Sequence, residues 1–414
     1  MKRIFPVIIA LCCTNVIWAQ PKPGDLFKEY AWYNKPGDCQ GALRVGGRLD
    51  YQLIENVQHY KGNGQIQPPF QVDLKNAFRA ELIVEKMLCH GGTKGLRVSI
   101  NGNKALRLPV SPNIPWPEED YAHHYNAILP LDLSLLKEGT DNTFKFEVDT
   151  AGHWWPQNLI YGMILRIYYD SSLITEKTHI SQPKKGDILE KIQQIQLHIP
   201  SGENIEKVHL VGFYEDVDLE GDGLYTQWHY AYHKGLIYNH IDSSSKAPYT
   251  LSWNTEWVPD QKEKMKLAAF IHRSDGYIYM SDAVENLQVG MRDYSVELCK
   301  PFRRPKHWFT RNGEFEERFY IDGNIEKASA ARMFFRTWSP GYFNGIYIND
   351  FLVFTKEGPK YAYYEHNVPI KELHVLKEEE NILKTGITPL YPEGMVHGVE
   401  VQWPGIMLLI KYSH

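Results

Sequence analysis

Arg79 to Met87 reads RAELIVEKM, and Gly95 to Ile100 reads GLRVSI, followed at once by Asn101-Gly102. Both runs are short, rich in β-branched residues and bounded by turn formers. Asn-Gly is the dipeptide favoured where two strands turn back on each other, because both residues tolerate a positive φ. Working outward, Ala127 to Leu136 and Thr143 to Val148 make two more strands, joined by a turn at Lys137 to Asn142, KEGTDN. Ile160 to Tyr169, IYGMILRIYY, closes the unit. No segment shows helical periodicity. Short strands with regular turn punctuation predict a β-sandwich.

The C-terminal part repeats this order. Ala330 to Thr337 (AARMFFRT) resembles Arg79 to Met87, and Gly345 to Asp350 (GIYIND) resembles Gly95 to Gly102 (GLRVSING). Pro369 to Leu376 with KEEEN to Asn381 parallels Pro130 to Leu136 with KEGTDN to Asn142. Tyr391 to Gly398 parallels Trp155 to Gly162, and IMLLIKY at Ile406 to Tyr412 parallels MILRIYY at Met163 to Tyr169. Five blocks in one order predict two copies of one sandwich flanking a different middle piece.

These patterns carry two resemblances. Asn-Gly, then Pro-apolar, then the Leu-Lys-Glu-Gly-x-Asn turn and a hydrophobic strand, resemble galactose-binding-like jelly rolls of secreted glycan-processing proteins. The middle piece has Ala247-Pro248-Tyr249, Trp253-Asn254-Thr255, Val258-Pro259-Asp260 and Ser274-Asp275-Gly276. It resembles a bacterial immunoglobulin-like domain appended to such proteins, with Asn254 in place of the family's Asp and Gln261 in place of its Gly. The resemblance implies spacing or binding modules. The expected fold is all-β, with three β-sandwich modules: jelly-roll-like, Ig-like, jelly-roll-like. Expected boundaries are a signal peptide over 1–19, an N-terminal extension plus first sandwich over 20–170, the Ig-like module over 171–290 and the second jelly roll over 291–414.

The chain has 414 residues, enough for two to four domains at roughly 100–200 residues each. Lys2 and Arg3 precede the apolar run Ile4 to Cys13, and Ala19 precedes Gln20, which predicts cleaved export to the periplasm or exterior. Lipid attachment at Cys12 or Cys13 is the weaker reading, because Leu11 is bulky for that site. No later run reaches the ~20 apolar residues of a membrane span. A formal net charge of −5 leaves no basic footprint for nucleic acid. Cys39, Cys89 and Cys299 remain after cleavage; a Cys39–Cys89 bridge and three buried thiols both stay open.

Within the middle module lies Tyr214 to His233, YEDVDLEGDGLYTQWHYAYH, predicted as an insertion spanning 214–236. Asp216, Asp218, Glu220 and Asp222 alternate like the first half of a calcium loop, where oxygen ligands converge on one hard cation. The second half departs, since the twelfth position holds Gln227 where a bidentate Glu is required. Two readings stay open, a solvated acidic turn first and a non-helical loop holding calcium, the one cofactor in view, second. No nucleotide-binding motif is present.

Trp228, Tyr230 and Tyr232 share one face at strand spacing, leaving His229 and His233 for others. That face is either a sugar-stacking platform or sandwich core. Trp116, Trp154 and Trp155 lie in loops of the first sandwich and complete the expected ligand-binding set with His229 and His233. His123, His124 and His153 could meet as metal ligands only through tertiary convergence. Glu118 or Asp120 with Glu220 or Asp222 would suit glycoside hydrolysis, and a His–Tyr pair would suit a lyase. The leading expectation is a secreted protein that binds, or assists processing of, an extracellular polysaccharide. The alternatives are a polysaccharide-degrading hydrolase or lyase, with its site where the insertion meets a flanking sandwich, and a calcium-stabilised surface protein. Whether the chain is catalytic is left open.

Overall fold

A computed structural model describes residues 20–34, 42–46, 64–88, 93–150, 158–386 and 398–414. Residues 1–19, where the signal peptide is expected, Cys39, Cys89, His153, Trp154, Trp155 and residues 391–397 lie outside the described residues.

The described chain is all-β, as expected. Ala77–Leu88, Asn158–Tyr169 and His123–Leu131 form adjacent antiparallel strands. Opposite them, Phe144–Glu147 and Arg97–Ile100 belong to a four-stranded sheet. Leu82, Val84, Val98, Ile100, Phe144, Phe146 and Leu165 fill the space between. Alternation along Ala77–Leu88 explains why: even positions face this core. The odd positions Ile83 and Met87 are buried too, in separate clusters on the opposite face. A strand covered on both faces reads as almost continuously apolar. Its acids, Glu81 and Glu85, are correspondingly buried.

The N-terminal extension was expected only to pack on the first sandwich. Leu26–Tyr33 instead enters the sheet, pairing with Asn158–Tyr169 along its whole length. Leu26 and Phe27 also pair with Tyr279 and Ile278 of the middle region. One twelve-stranded sheet thus runs through the first sandwich and the middle region. There it continues through Met265–Arg273 and Ile205–Glu215.

At the C-terminus, Tyr294–Cys299, Met407–Ser413, Ala328–Trp338 and Tyr363–Ile370 form one sheet. Phe315–Ile321, Glu379–Thr385 and Ile346–Ile348 belong to the facing one. Phe319, Met333, Phe335, Ile346, Leu383 and Leu408 pack between them.

In each sandwich one half-buried and one fully buried asparagine tie the turn region to its sheet. Asn101 donates its amide to Leu135 O at 2.8 Å and Asn142 Oδ1 at 2.9 Å, and accepts from Thr143 N at 2.9 Å. Asn349 donates to Val375 O at 2.8 Å and Asn381 Oδ1 at 2.7 Å, and accepts from Ile382 N at 3.1 Å. Asn142 and Asn381 each close the turn by bonding both main-chain groups of Lys137 and Lys377 respectively.

Candidate functional site

Where the insertion meets both flanking sandwiches, a buried carboxylate gathers two imidazoles. Glu85 projects from Ala77–Leu88. His124 comes from the neighbouring strand, paired opposite Met87. His233 ends the short strand Ala231–His233 of the insertion. Glu85 Oε1 accepts from His124 Nε2 at 2.8 Å and His233 Nδ1 at 2.6 Å, and Oε2 accepts from Lys234 N at 2.7 Å. Burial alone would raise the Glu85 pKa, but the hydrogen bonds from His124 and His233 prevail and lower it to about 2. Glu85 is therefore ionised and acts as an acceptor only.

Arg336, from Ala328–Trp338, fixes the tautomer of His124. Its Nη1 stands 3.2 Å from His124 Nδ1 and 2.8 Å from Leu219 O. A guanidinium can only donate, so Nδ1 accepts and the proton of neutral His124 sits on Nε2. Burial lowers the His124 pKa, and Arg336 and His233 push the same way against the pull of Glu85.

His233 is placed differently. Its Nδ1–H is held by Glu85, while Nε2 meets no hydrogen-bond partner among the described residues. The side chain is 29% exposed, against 2% for Glu85 and for His124. Three tyrosine rings surround it: Tyr363 at 5.4 Å, Tyr238 at 5.7 Å and Tyr161 at 5.9 Å between centroids. Tyr363 OH donates to Glu365 Oε1 at 2.6 Å, and Tyr238 OH lies 3.3 Å from Tyr363 OH. Burial first holds both phenols well above the ordinary tyrosine range; Glu365 adds to the shift of Tyr238, and Tyr238 and Glu365 add to that of Tyr363, so both stay protonated. A carboxylate on Nδ1 with a free Nε2 is the arrangement that makes an imidazole a directed general base.

Glu85, His124 and His233 also offer three ligand atoms within 4.8 Å of one another. Two imidazoles and a carboxylate are a known metal-binding set. Arg336 argues against that use here. A ligating His124 Nε2 would need its proton on Nδ1, where the guanidinium stands, and a second cation would sit close to a buried one.

Tyr230 and Tyr232 are 5% and 7% exposed and pack with Phe270, Ile164 and Tyr168. Half-buried Trp228 packs against the same cluster, its ring edge-on to Phe213 at 5.8 Å. One face is shared, as the spacing predicts, but it is turned inward. Tyr232 in addition bonds Arg166 and Glu29 through its hydroxyl at 2.6 Å and 2.8 Å, and Asn126 through its main chain. These rings anchor the insertion on the first sandwich, which corrects the stacking-platform expectation for Tyr230 and Tyr232. Trp116 is 78% exposed, in a loop of the first sandwich. His123 points away from His124, as neighbours on a strand must, and meets Tyr121 O at 3.0 Å.

The acidic residues of the 214–236 segment are held by main-chain N–H groups and by Gln227 and His229. Asp218 is fully buried and takes Gly221 N and Gly223 N at 2.7 Å each. Glu220 Oε2 faces His229 Nδ1 at 3.3 Å and Gln227 Nε2 at 3.3 Å. Asp222 accepts from Leu224 N and Gln227 Nε2, and Asp216 from Val217 N. Burial raises Asp216 and Asp218 to about 6, with Glu220 adding to both. Burial, Asp218 and Glu220 raise Asp222 to about 8. Burial opposes the charge on His229, but Glu220 and Asp216 lift it to about 9. The turn wedges into the junction: a Cβ on Gly221, at φ +77°, would collide with the Arg336 guanidinium and the His124 carbonyl. The insertion thereby positions Arg336, and through it His124.

Glu118 pairs with Arg107 at 3.2 Å and Asp120 with Lys306 at 2.9 Å. No family model and no curated protein matches this chain. Solved structures resemble it at low scores. Fibronectin(III)-like modules of Clostridium thermocellum CbhA share 20% identity, covering 28% of this chain and 100% of that one, with a TM-score of 0.18. A β-porphyranase of glycoside hydrolase family 86 from Bacteroides plebeius shares 13%, covering 55% and 34%, at 0.19. The N-glycanase PNGase F shares 7%, covering 93% and 96%, at 0.21. Scores this low carry no assignment of function. No helix among the described residues is long and apolar enough to cross a membrane.

Proposed function

We propose that this chain is an exported, glycan-cleaving enzyme whose proton-transfer group is His233. The observation that carries the reading is the 2.6 Å bond from His233 Nδ1 to the buried, ionised Glu85, which leaves Nε2 free in a tyrosine-lined junction. Glu85 orients the ring and favours its protonated form during reaction. Nε2 takes a proton from the substrate or from water, beside the rings of Tyr238 and Tyr363, whose hydroxyls are tied to each other and to Glu365. This is the His–Tyr alternative of the sequence reading, at the interface where an enzyme site was expected. The carboxylate pairs are less suited, because Glu118 and Asp120 are held by ion pairs and Asp218 spends both oxygens on main-chain N–H groups.

The glycan substrate class rests on the resemblance to secreted glycan-processing modules and on the export signal. The recurring asparagine pairs, Asn101–Asn142 and Asn349–Asn381, support reading the flanking sandwiches as two copies of one unit. Calcium on Asp216, Asp218, Glu220 and Asp222 is not needed for this function. The test is incubation with a panel of extracellular polysaccharides, reading both reducing ends and unsaturated sugars. Release of either supports the enzyme; retention of a polysaccharide without cleavage returns the chain to a binding role.

A further inference from the structure

A concavity lies between the middle region and the C-terminal sandwich, lined by none of the Glu85 junction residues. It has a volume of about 570 Å³ and is lined by Glu215, Asp260, Lys262, Lys300, Tyr320 and Asp322 among others. That is within the roughly 300–1,000 Å³ usual for ligand sites. One wall is the edge strand Tyr294–Cys299, whose other side pairs with Met407–Ser413. The opposite wall is the end of Ile205–Glu215 and the Pro259–Asp260 turn, joined to the strand by Asp260 N to Val296 O at 2.9 Å.

Its chemistry is defined by what is already engaged and what is not. Lys300 is bound by Glu215 at 2.6 Å, and Asp260 by Arg292. Glu297 accepts from Asp322 N at 2.7 Å, Gly323 N at 3.1 Å and Tyr412 OH. These bonds make the floor rigid. Lys262 and the Asp322 carboxylate carry no ion pair among the described residues and are exposed. Tyr320 is 49% exposed and lies flat on Phe302, with centroids 4.7 Å apart and planes 9° from parallel. One ring face is thus backed by Phe302.

A braced aromatic ring beside an exposed carboxylate and ammonium suits a sugar ring. The C–H face packs on the aromatic, and the hydroxyls bond the charged groups. Four carboxylates against two lysines among the residues named above make the cleft unsuited to a polyanion. We propose that this cleft binds a neutral stretch of oligosaccharide through Tyr320, Asp322 and Lys262, as a binding subsite separate from the Glu85–His233 centre. The inference rests on the glycan reading above for its ligand class.

The experiment uses the full chain and affinity electrophoresis in gels carrying xylan, galactan, mannan or arabinogalactan, with polygalacturonate as the polyanion. Wild type, Tyr320→Ala and Asp322→Asn are compared, with melting midpoints as a check on folding. The expected result is retention by at least one neutral polysaccharide, weakened roughly tenfold by Tyr320→Ala as for loss of one aromatic contact. Asp322→Asn weakens it less. Two results overturn the proposal: retention that Tyr320→Ala and Asp322→Asn leave intact, or no retention of wild type by any neutral polysaccharide. Cleavage of the panel is scored separately, so the enzyme reading can stand while the cleft fails.

Discussion

Glu85 Oε1 and His233 Nδ1 lie 2.6 Å apart, although 148 positions separate them in the chain. The bond joins the first sandwich to the insertion of the middle module. Arg336 and Tyr363 reach the same point from the C-terminal sandwich. The centre therefore exists only when three parts of the chain are assembled.

Replacing Glu85 by Gln keeps the volume and removes the charge. Turnover should fall by roughly 10²- to 10⁴-fold, the range for losing a base or its orienting carboxylate. Stability should change with pH as well. The folded pKa of about 2 lies below the ordinary 4.5, so the ionised form stabilises the fold. That contribution is complete above about pH 4.5 and disappears as pH falls through about 2. Melting midpoints of wild type and Glu85→Gln, measured across pH, should accordingly converge in acid.

Exhaustive chelation followed by return to metal-free buffer should leave turnover and melting midpoint unchanged, because Arg336 already occupies the Nδ1 side of His124. Activity lost on chelation and restored by zinc would replace the proton-transfer reading with a metal centre on Glu85, His124 and His233.

Asp222 carries the opposite sign from Glu85. Its folded pKa of about 8 exceeds the ordinary 3.8, so the folded state holds a proton that the unfolded chain has released. Stability from this group is full below about pH 4 and declines as pH rises toward 8. Asp222→Asn mimics the protonated acid and keeps an acceptor for Leu224 N. The variant should melt higher than wild type at pH 8, with the difference shrinking toward pH 4.

Asn381 is fully buried and bonds Asn349, Lys377 N and Lys377 O. Asn381→Ala strands those groups, at a cost of about 1–3 kcal/mol for each buried polar group left unpaired. Asn142→Ala in the first sandwich should lower the melting midpoint comparably if the two sandwiches are copies of one unit, and chemical denaturation of both variants compares the effects directly.

Much of the scaffold was legible in the sequence. Arg79 to Met87 and Ile160 to Tyr169 announce strands by composition, and the asparagines at 101, 142, 349 and 381 mark their turns. Leu26–Tyr33 was missed as a strand, because eight residues beside a Gly-rich segment give little periodic signal. Trp228, Tyr230 and Tyr232 were placed on one face, but spacing cannot say whether a face turns inward. His233 was singled out by its aromatic surroundings. Glu85 was not, since one acid in an apolar strand looks like an edge position until a second layer covers it. The available signal was the strand RAELIVEKM itself, which keeps two acids while reading as buried on both faces. Arg336 and Tyr363 join the site only through contacts more than 100 residues away in sequence.

The central claim is that His233 moves the proton, and the most direct measurement is turnover by His233→Gln on whichever polysaccharide the wild type cleaves best. Gln keeps an N–H that can donate to Glu85, and the melting midpoint measured alongside shows whether the variant is folded. The account predicts that product release then drops by roughly 10²-fold or more. Wild-type turnover by a folded His233→Gln variant would contradict it.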